Sequence, residues 1–432
     1  MNDLNIFQAP SAHVPTPLAS KFVRRCCALY LCALIGFWTL AVGESYARVH
    51  RRHATFSFKS LFFRDTDDRF HDFTNFDPDT GHFSIPGVAP GTPYLPAAEG
   101  VYLIFARILG LRLPSYLLFI VASATASAVL LIRALSRDRE NGRLLRAVVA
   151  ASLVLSYPML FLLERANLEG FIWAFWGLGL AAFVARKHKT AAVLFALIAA
   201  MKIYPGVMLL LLLSRKLYKE IVLAGVAFVG FTLLGLQLLG PTLPAAIADV
   251  KQSSSRVAGA HLHYSYDSIR YEHSLFSVIK QAAFFYYGPV HDAGLDGTIQ
   301  AAAKPYVLVA LCVLPVLYWF RIRKLPLLNQ ATALILVAVT FPHLSIEYTL
   351  IHLYFPWALF LLYLSRDVGT GRASLSWPVA RGIMLGFAFV FAMGPFGLIA
   401  GQLKMFVLMA MLAVSMIVPM RSSLLDGDTS PS

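Results

Sequence analysis

The stretch Arg64-Asp65-Thr66-Asp67-Asp68-Arg69-Phe70-His71-Asp72-Phe73 places four carboxylates in eight residues of a chain that is only 14% charged. A carboxylate held against a hydrophobic wall can take a proton from a hydroxyl as that hydroxyl attacks. Aspartate suits the task where the leaving group needs no acid. Asp72, between His71 and Phe73, is the chosen candidate base over Asp65, Asp67 and Asp68. The competing reading is a solvated loop whose acids make weak surface pairs with Arg64 and Arg69. Asn75, Asp77 and Asp79 alternate before Gly81 as in a calcium loop, but that glycine is one place late and Pro86 stands where a bidentate Glu belongs. A plain turn is therefore expected there, and no metal ligand is assigned.

Three other groups invite chemistry. Lys202, in Lys202-Ile203-Tyr204-Pro205-Gly206, interrupts an apolar run. A lysine there is costly in lipid and marks either a functional site or a side chain reaching back to the interface. Glu164, Arg165, Asn167 and Glu169 fall between two apolar runs, where they could bind a sugar or cap helices. His261, His263, His273 and His343 sit in polar connections, but His-x-His with a distant third His and no Cys is a loose zinc set, and loop histidines without metal are the simpler reading. The chain has no His-Glu-x-x-His, phosphate-binding loop, dinucleotide fingerprint or Gly-x-Ser-x-Gly, so nucleotide-driven transport and serine hydrolysis have no support.

These residues must be positioned by membrane-spanning helices. The chain is 58% hydrophobic with a mean hydropathy of +0.66, and apolar stretches of about 20 residues recur along it. The net charge of +14 would suit nucleic acid, but the basic residues fall mostly in short breaks between apolar runs, which is the signature of membrane orientation. No nucleic-acid partner is expected. Cys26, Cys27, Cys32 and Cys312 lie inside apolar runs and offer no disulfide framework. Lys21, Arg24 and Arg25 precede the first span, and no small-residue cleavage site follows, so that span is expected to be retained with its N-terminus in the cytoplasm.

The expected fold is all-α, a polytopic transmembrane helix bundle. About ten spans are read at 22–42, 115–132, 147–163, 168–185, 221–239, 306–320, 325–341, 348–364, 380–396 and 403–418. The apolar piece 94–111 is laid along the interface, because a crossing there would put Arg133, Arg137, Arg139, Arg143 and Arg146 outside. The run 191–213 lies between two basic clusters and so becomes a short re-entrant helical hairpin broken at Lys202 to Gly206. Both termini are then cytoplasmic. Residues 1–420 form one domain, with long outer loops at 43–114 and 240–305 and a polar tail at 421–432. The same parity puts the acidic stretch, residues 164–169, the histidine-rich loop and residues 343–347 on one outer face.

Taken together, these features resemble the polyprenol-phosphate-sugar-dependent glycosyltransferases of family eighty-seven, in the GT-C superfamily. His71-Asp72-Phe73 looks like the family's Asp-Phe in the first outer loop, and Tyr94-Leu95-Pro96 stands for its Tyr-Pro-Pro. Ala199-Ala200-Met201-Lys202-Ile203-Tyr204-Pro205 is similar to its Lys-x-x-Pro segment. His273-Ser274-Leu275 looks like Asn-x-Ser-Leu, and Phe341 to Tyr348 like a late Ser/Pro-rich outer turn. Arg165-Ala166-Asn167-Leu168-Glu169 departs from the family's Gly-Gln, and Leu95 from its middle proline.

The resemblance implies an integral membrane enzyme that moves a hexosyl or pentosyl unit from a polyprenyl-phosphate sugar to a glycan or lipid acceptor, on the outer face of the cytoplasmic membrane. Asp72 would be the base and Lys202 would bind the donor phosphate as a point charge. Arg165 and His343 are further candidates for that anion, and Asn167, His71, Tyr94 and His273 complete the expected substrate-binding set. No cofactor is assigned, and a divalent metal stays open. The rival readings are a transporter or flippase of lipid-linked sugar and a polysaccharide ligase or polymerase.

Overall fold

A computed structural model of the chain describes residues 17–52, 70–74, 95–105, 112–136, 141–239, 242–248, 250–251, 269–287, 293–394 and 399–426. Asp65, Asp67, Asp68, Asn75, Asp77, Asp79, Tyr94, His261 and His263 lie outside the described residues, as does the side chain of His71. The described residues form helices joined by turns and short extended links, with no strand among them beyond one isolated antiparallel bridge between Glu272 and Ile346.

In chain order the helices are α1 (Pro17–Arg52), α2 (His71–Thr74), α3 (Pro96–Leu103), α4 (Arg112–Leu135), α5 (Gly142–Val154), α6 (Tyr157–Arg165), α7 (Glu169–Val184) and α8 (His188–Met201). A 3-10 turn (Tyr204–Met208) leads to α9 (Leu209–Ser214) and α10 (Tyr218–Leu239). Then come α11 (Phe276–Tyr287), α12 (Ala293–Phe320), α13 (Leu327–Thr340), a 3-10 segment (Glu347–Leu353), α14 (Tyr354–Tyr363), α15 (Trp377–Ala392), α16 (Ala400–Ile417) and α17 (Ser423–Asp426).

Six helices are long and apolar enough to cross a membrane, or seven if α5 and α6, bent by 40° at Leu155-Ser156, count as one. The bend has a local cause: Ser156 takes extended backbone and caps α6 by accepting the Met159 amide, and Pro158 cannot continue the helix before it. Three of the ten expected spans fall on shorter apolar helices, α7, α13 and α15. The multi-pass membrane class therefore stands. Exposure sorts the helices. α4, α10 and α12 present Leu118, Leu130, Val222, Val226, Leu308 and Leu311 outward, as lipid-facing surfaces do, whereas all fourteen residues of α13 are buried. A helix apolar all round belongs in the middle of such a bundle.

The described part of the segment expected along the interface, α3, is packed inside the protein. Every residue of α3 is buried, and its eight residues rise only about 12 Å. The close approach to α10 needs Gly235, where an added Cβ would collide with the Pro96 backbone carbonyl. The predicted helical break at Lys202 is present: α8 ends at Met201, Lys202 is extended, and the chain re-forms as a 3-10 turn at Tyr204. Tyr204 reaches Glu169 at the start of α7, while Leu210 in α9 accepts a hydrogen bond from Tyr318 near the far end of α12. The segment thus turns back toward the end of the bundle it came from.

Candidate functional site

The turn between α6 and α7, residues 165–169, organises the site. Ala166 adopts the left-handed conformation, with φ of 49°, and closes α6 as a C-cap. An alanine there is strained, and two buried hydroxyls hold it: Tyr102 donates to the Ala166 carbonyl at 3.2 Å and Tyr116 to the Asn167 carbonyl at 2.5 Å. The aromatic ring of Phe73 packs between those two tyrosines, with ring centroids 5.6 and 5.5 Å away. Phe70 donates its amide to the Glu164 carbonyl at 2.7 Å. The downstream end of the acidic stretch is thereby pinned on the turn.

Asp72 is the residue so delivered. Arg165 Nη2 lies 2.6 Å from Asp72 Oδ1, and Asn167 Nδ2 donates to Oδ2 at 2.6 Å. Both carboxylate oxygens are thus engaged, while the Asp72 side chain stays 13% and that of Arg165 21% exposed. Asn167 Oδ1 in turn accepts the Glu169 amide at 3.0 Å, satisfying one of the orphan N–H groups that open α7. Of the two readings of this turn, the helix-serving one is present in Asn167, whose amide both serves the start of α7 and holds a carboxylate.

Two residues beyond Asn167, the fully buried Glu169 carboxylate gathers a second group. Lys202 Nζ stands 2.6 Å from Oε1, Tyr204 donates to Oε2 at 2.5 Å, and His352 Nε2 lies 2.8 Å from Oε2. An ionised Glu169 accepts from the His352 Nε2–H tautomer, and the Tyr204 hydroxyl lies 3.0 Å from the same nitrogen. Trp176 covers the His352 ring at 4.4 Å. Lys202 keeps 18% of its side chain exposed and stands over the Tyr348 ring at 5.4 Å. The intramembrane cost of the lysine is met by a full carboxylate partner, which neither of the two sequence readings of Lys202 included. The arrangement is two carboxylate–cation pairs on one five-residue turn: Asp72 with Arg165 nearer the surface, Glu169 with Lys202 deeper.

The remaining expected residues are placed elsewhere. His273 is fully buried, its Nε2 3.0 Å from the Ser345 hydroxyl and 3.2 Å from that of Thr349, so it ties the 269–275 segment to the turn before the 3-10 segment. Burial, and then the nearby Lys404, hold its imidazole well below the usual range. Burial followed by Lys280 lowers that of His343 too, which makes both neutral hydrogen-bonding groups rather than cations at neutral pH. Neither is brought beside Asp72 by a described contact. Among the described residues no three His, Cys, Asp or Glu side chains gather as metal ligands. Tyr204, Tyr348 and His352 were not among the expected site residues, and Glu169 was expected only as one of a polar cluster, without these partners. The rule that singles out Lys202, an ionisable group inside an apolar run, would have found His352 as well.

With this geometry in hand, a comparison with family models decides the class: Glycosyltransferase family 87 matches residues 92–345, more than half of the chain. The chain belongs to glycosyltransferase family 87. The match contains Arg165, Asn167, Glu169, Lys202 and Tyr204, while Asp72 and His352 lie on either side of it and are joined to it only through space. Comparison with curated proteins and with solved structures gives no match. This family 87 member is therefore a membrane glycosyltransferase, acting on a sugar donor and an acceptor.

Proposed function

We propose that this glycosyltransferase moves a hexosyl or pentosyl unit from a polyprenyl-phosphate sugar to a glycan or lipid acceptor at the outer face of the cytoplasmic membrane. The observation that carries the proposal is Asp72, held by Arg165 and Asn167 yet still partly open. In the reaction the acceptor hydroxyl oxygen attacks the anomeric carbon, and its proton passes to Asp72. The bond from that carbon to the phosphate oxygen breaks, and polyprenyl phosphate departs with the electron pair. Lys202 is the cation offered to the phosphate. An ammonium can rotate part of its hydrogen bonding from Glu169 to a ligand without leaving its carboxylate.

Ten spans with cytoplasmic termini would put this end of the bundle outside. The basic residues Arg186, Lys187, Arg215, Lys216, Arg321 and Arg323 follow or precede helix ends away from Glu169, which supports that orientation. A lipid-borne donor and an aqueous acceptor can meet only at such a boundary.

The test is transfer of labelled sugar from a panel of polyprenyl-phosphate donors by membranes containing the chain, beside Asp72→Asn. The substitution keeps the shape of the side chain but sets an NH₂ group against Arg165 or Asn167, so the protein should elute as wild type and melt somewhat lower while transfer falls about 10²- to 10⁴-fold. An Asp72→Asn protein with full activity would remove the base assignment. Donor that moves between leaflets without being consumed would replace transfer by transport, and use of polyprenyl diphosphate donors alone would favour a ligase.

A further inference from the structure

Asn167 is bonded on both sides of its amide. Its Nδ2 donates to Asp72 Oδ2 at 2.6 Å, and its Oδ1 accepts the Glu169 amide at 3.0 Å. The second bond fixes which way the first one points: the amide cannot flip without setting an NH₂ group against a backbone N–H. The Asn167 backbone is locked as well, by Tyr116 on its carbonyl and by the left-handed Ala166 before it. The whole residue is buried. A fully fixed donor beneath a partly exposed carboxylate does more than fill space. It selects one orientation of the carboxylate plane, with Asn167 on one oxygen and Arg165 on the other.

We infer that Asn167 is a positioning residue for the transfer reaction, orienting the Asp72 carboxylate from the same turn that anchors the Glu169–Lys202 pair. The inference rests on the reading of Asp72 as the base. It gives the five-residue turn one purpose: the proton acceptor and the cation for the phosphate are held at a set spacing because Asn167 links them through a single amide. The groups that face Asp72 are Arg165 from α6, Asn167 from the turn, Tyr116 from α4 and Tyr348 from the 3-10 segment, with the Glu169–Lys202 pair further in.

The deciding variant is Asn167→Asp. Aspartate keeps the acceptor for the Glu169 amide and the shape of the side chain, so the turn is retained. It replaces the donor to Asp72 with a second carboxylate at hydrogen-bond distance, and two such groups share a proton over a wider acid range. Transfer should then fall more steeply with acid than it does in wild type. Relative to wild type, kcat should fall about tenfold or more on going from about pH 8 to about pH 6, with donor KM little changed. Asn167→Ala, which removes both bonds, should lower kcat at both pH values alike.

Asp72→Asn, measured in the same membranes, separates the two levels of the argument. If Asp72→Asn is inactive and Asn167→Asp loses activity preferentially at low pH, the positioning role stands. If Asp72→Asn is inactive but Asn167→Asp has an unaltered profile, or loses activity equally at both pH values while eluting as wild type, Asn167 is a structural residue and the proposal fails. If Asp72→Asn is active, the base assignment itself fails and the proposal goes with it.

Discussion

One end of this bundle holds two kinds of ion pair, and their differences separate a candidate site from a staple. In the 165–169 turn, Asp72 and Glu169 each have several partners, and their cations Arg165 and Lys202 are 21% and 18% exposed. A short distance away, Glu347 pairs with Lys404 at 2.5 Å with both side chains fully buried, and Glu272 pairs with Lys280 at 2.9 Å with exposures of 1% and 3%. The buried pairs cross between segments: Glu347 at the start of the 3-10 segment to α16, and Glu272 in the 269–275 segment to α11. They lock the backbone that carries His352 and Tyr348. A substrate could reach Lys202 and Arg165 but not Lys404 or Lys280.

The largest contrast should come from removing one cation of each kind. Lys404→Met leaves the Glu347 carboxylate buried and uncompensated, which costs about 3–5 kcal/mol and should appear as a large fall in melting temperature in detergent. Adding Glu347→Gln should restore most of it. Lys202→Met should cost less stability, since Glu169 retains Tyr204 and His352, and should chiefly abolish transfer. If Lys202→Met melted as low as Lys404→Met yet kept its specific activity, the distinction between site and staple would collapse.

A smaller effect tests the staple through its backbone. Gly401, the second residue of α16, lies so close under the 269–275 segment that an added Cβ would collide with the Glu272 carbonyl. Gly401→Ala should therefore destabilise by about 1–3 kcal/mol while the folded fraction keeps its specific activity. Loss of activity without loss of stability would mean that this segment belongs to the site. The smallest effect lies on the site's own turn. Ala166→Gly relieves the left-handed alanine, less the entropy glycine adds to the unfolded chain, for a gain of about 0.5–1 kcal/mol in a thermal melt with no loss of transfer. A destabilised Ala166→Gly would show that the Ala166 methyl group contributes more through packing than its strained φ costs.

Much of this could be read in the sequence because the membrane imposes strong, local rules. Apolar runs of span length, a Pro-Gly interruption beside Lys202 and Pro96 at a helix start are each legible within a few residues, and helices run, break and begin there. The position of α3 was not legible: an eight-residue apolar helix suits an interface or a core equally, and only the glycine opposite it on α10 shows which. Within the site, Asp72, Arg165, Asn167 and Lys202 stand out as polar residues in an apolar chain. Glu169 was noticed as one of a cluster, without its partners.

Those partners are what tertiary structure alone decided. Asp72 meets Arg165 across 93 positions, Glu169 meets Lys202 across 33 and His352 across 183. Sequence determined that the chain is a multi-pass helical protein and that its few charges are costly enough to need partners, because desolvation acts on each residue wherever it lies. Which charge answers which depends on helix packing, and no spacing along the chain encodes it. The same separation explains why the sequence could nominate a base and a cation but not the buried glutamate that holds the cation in place.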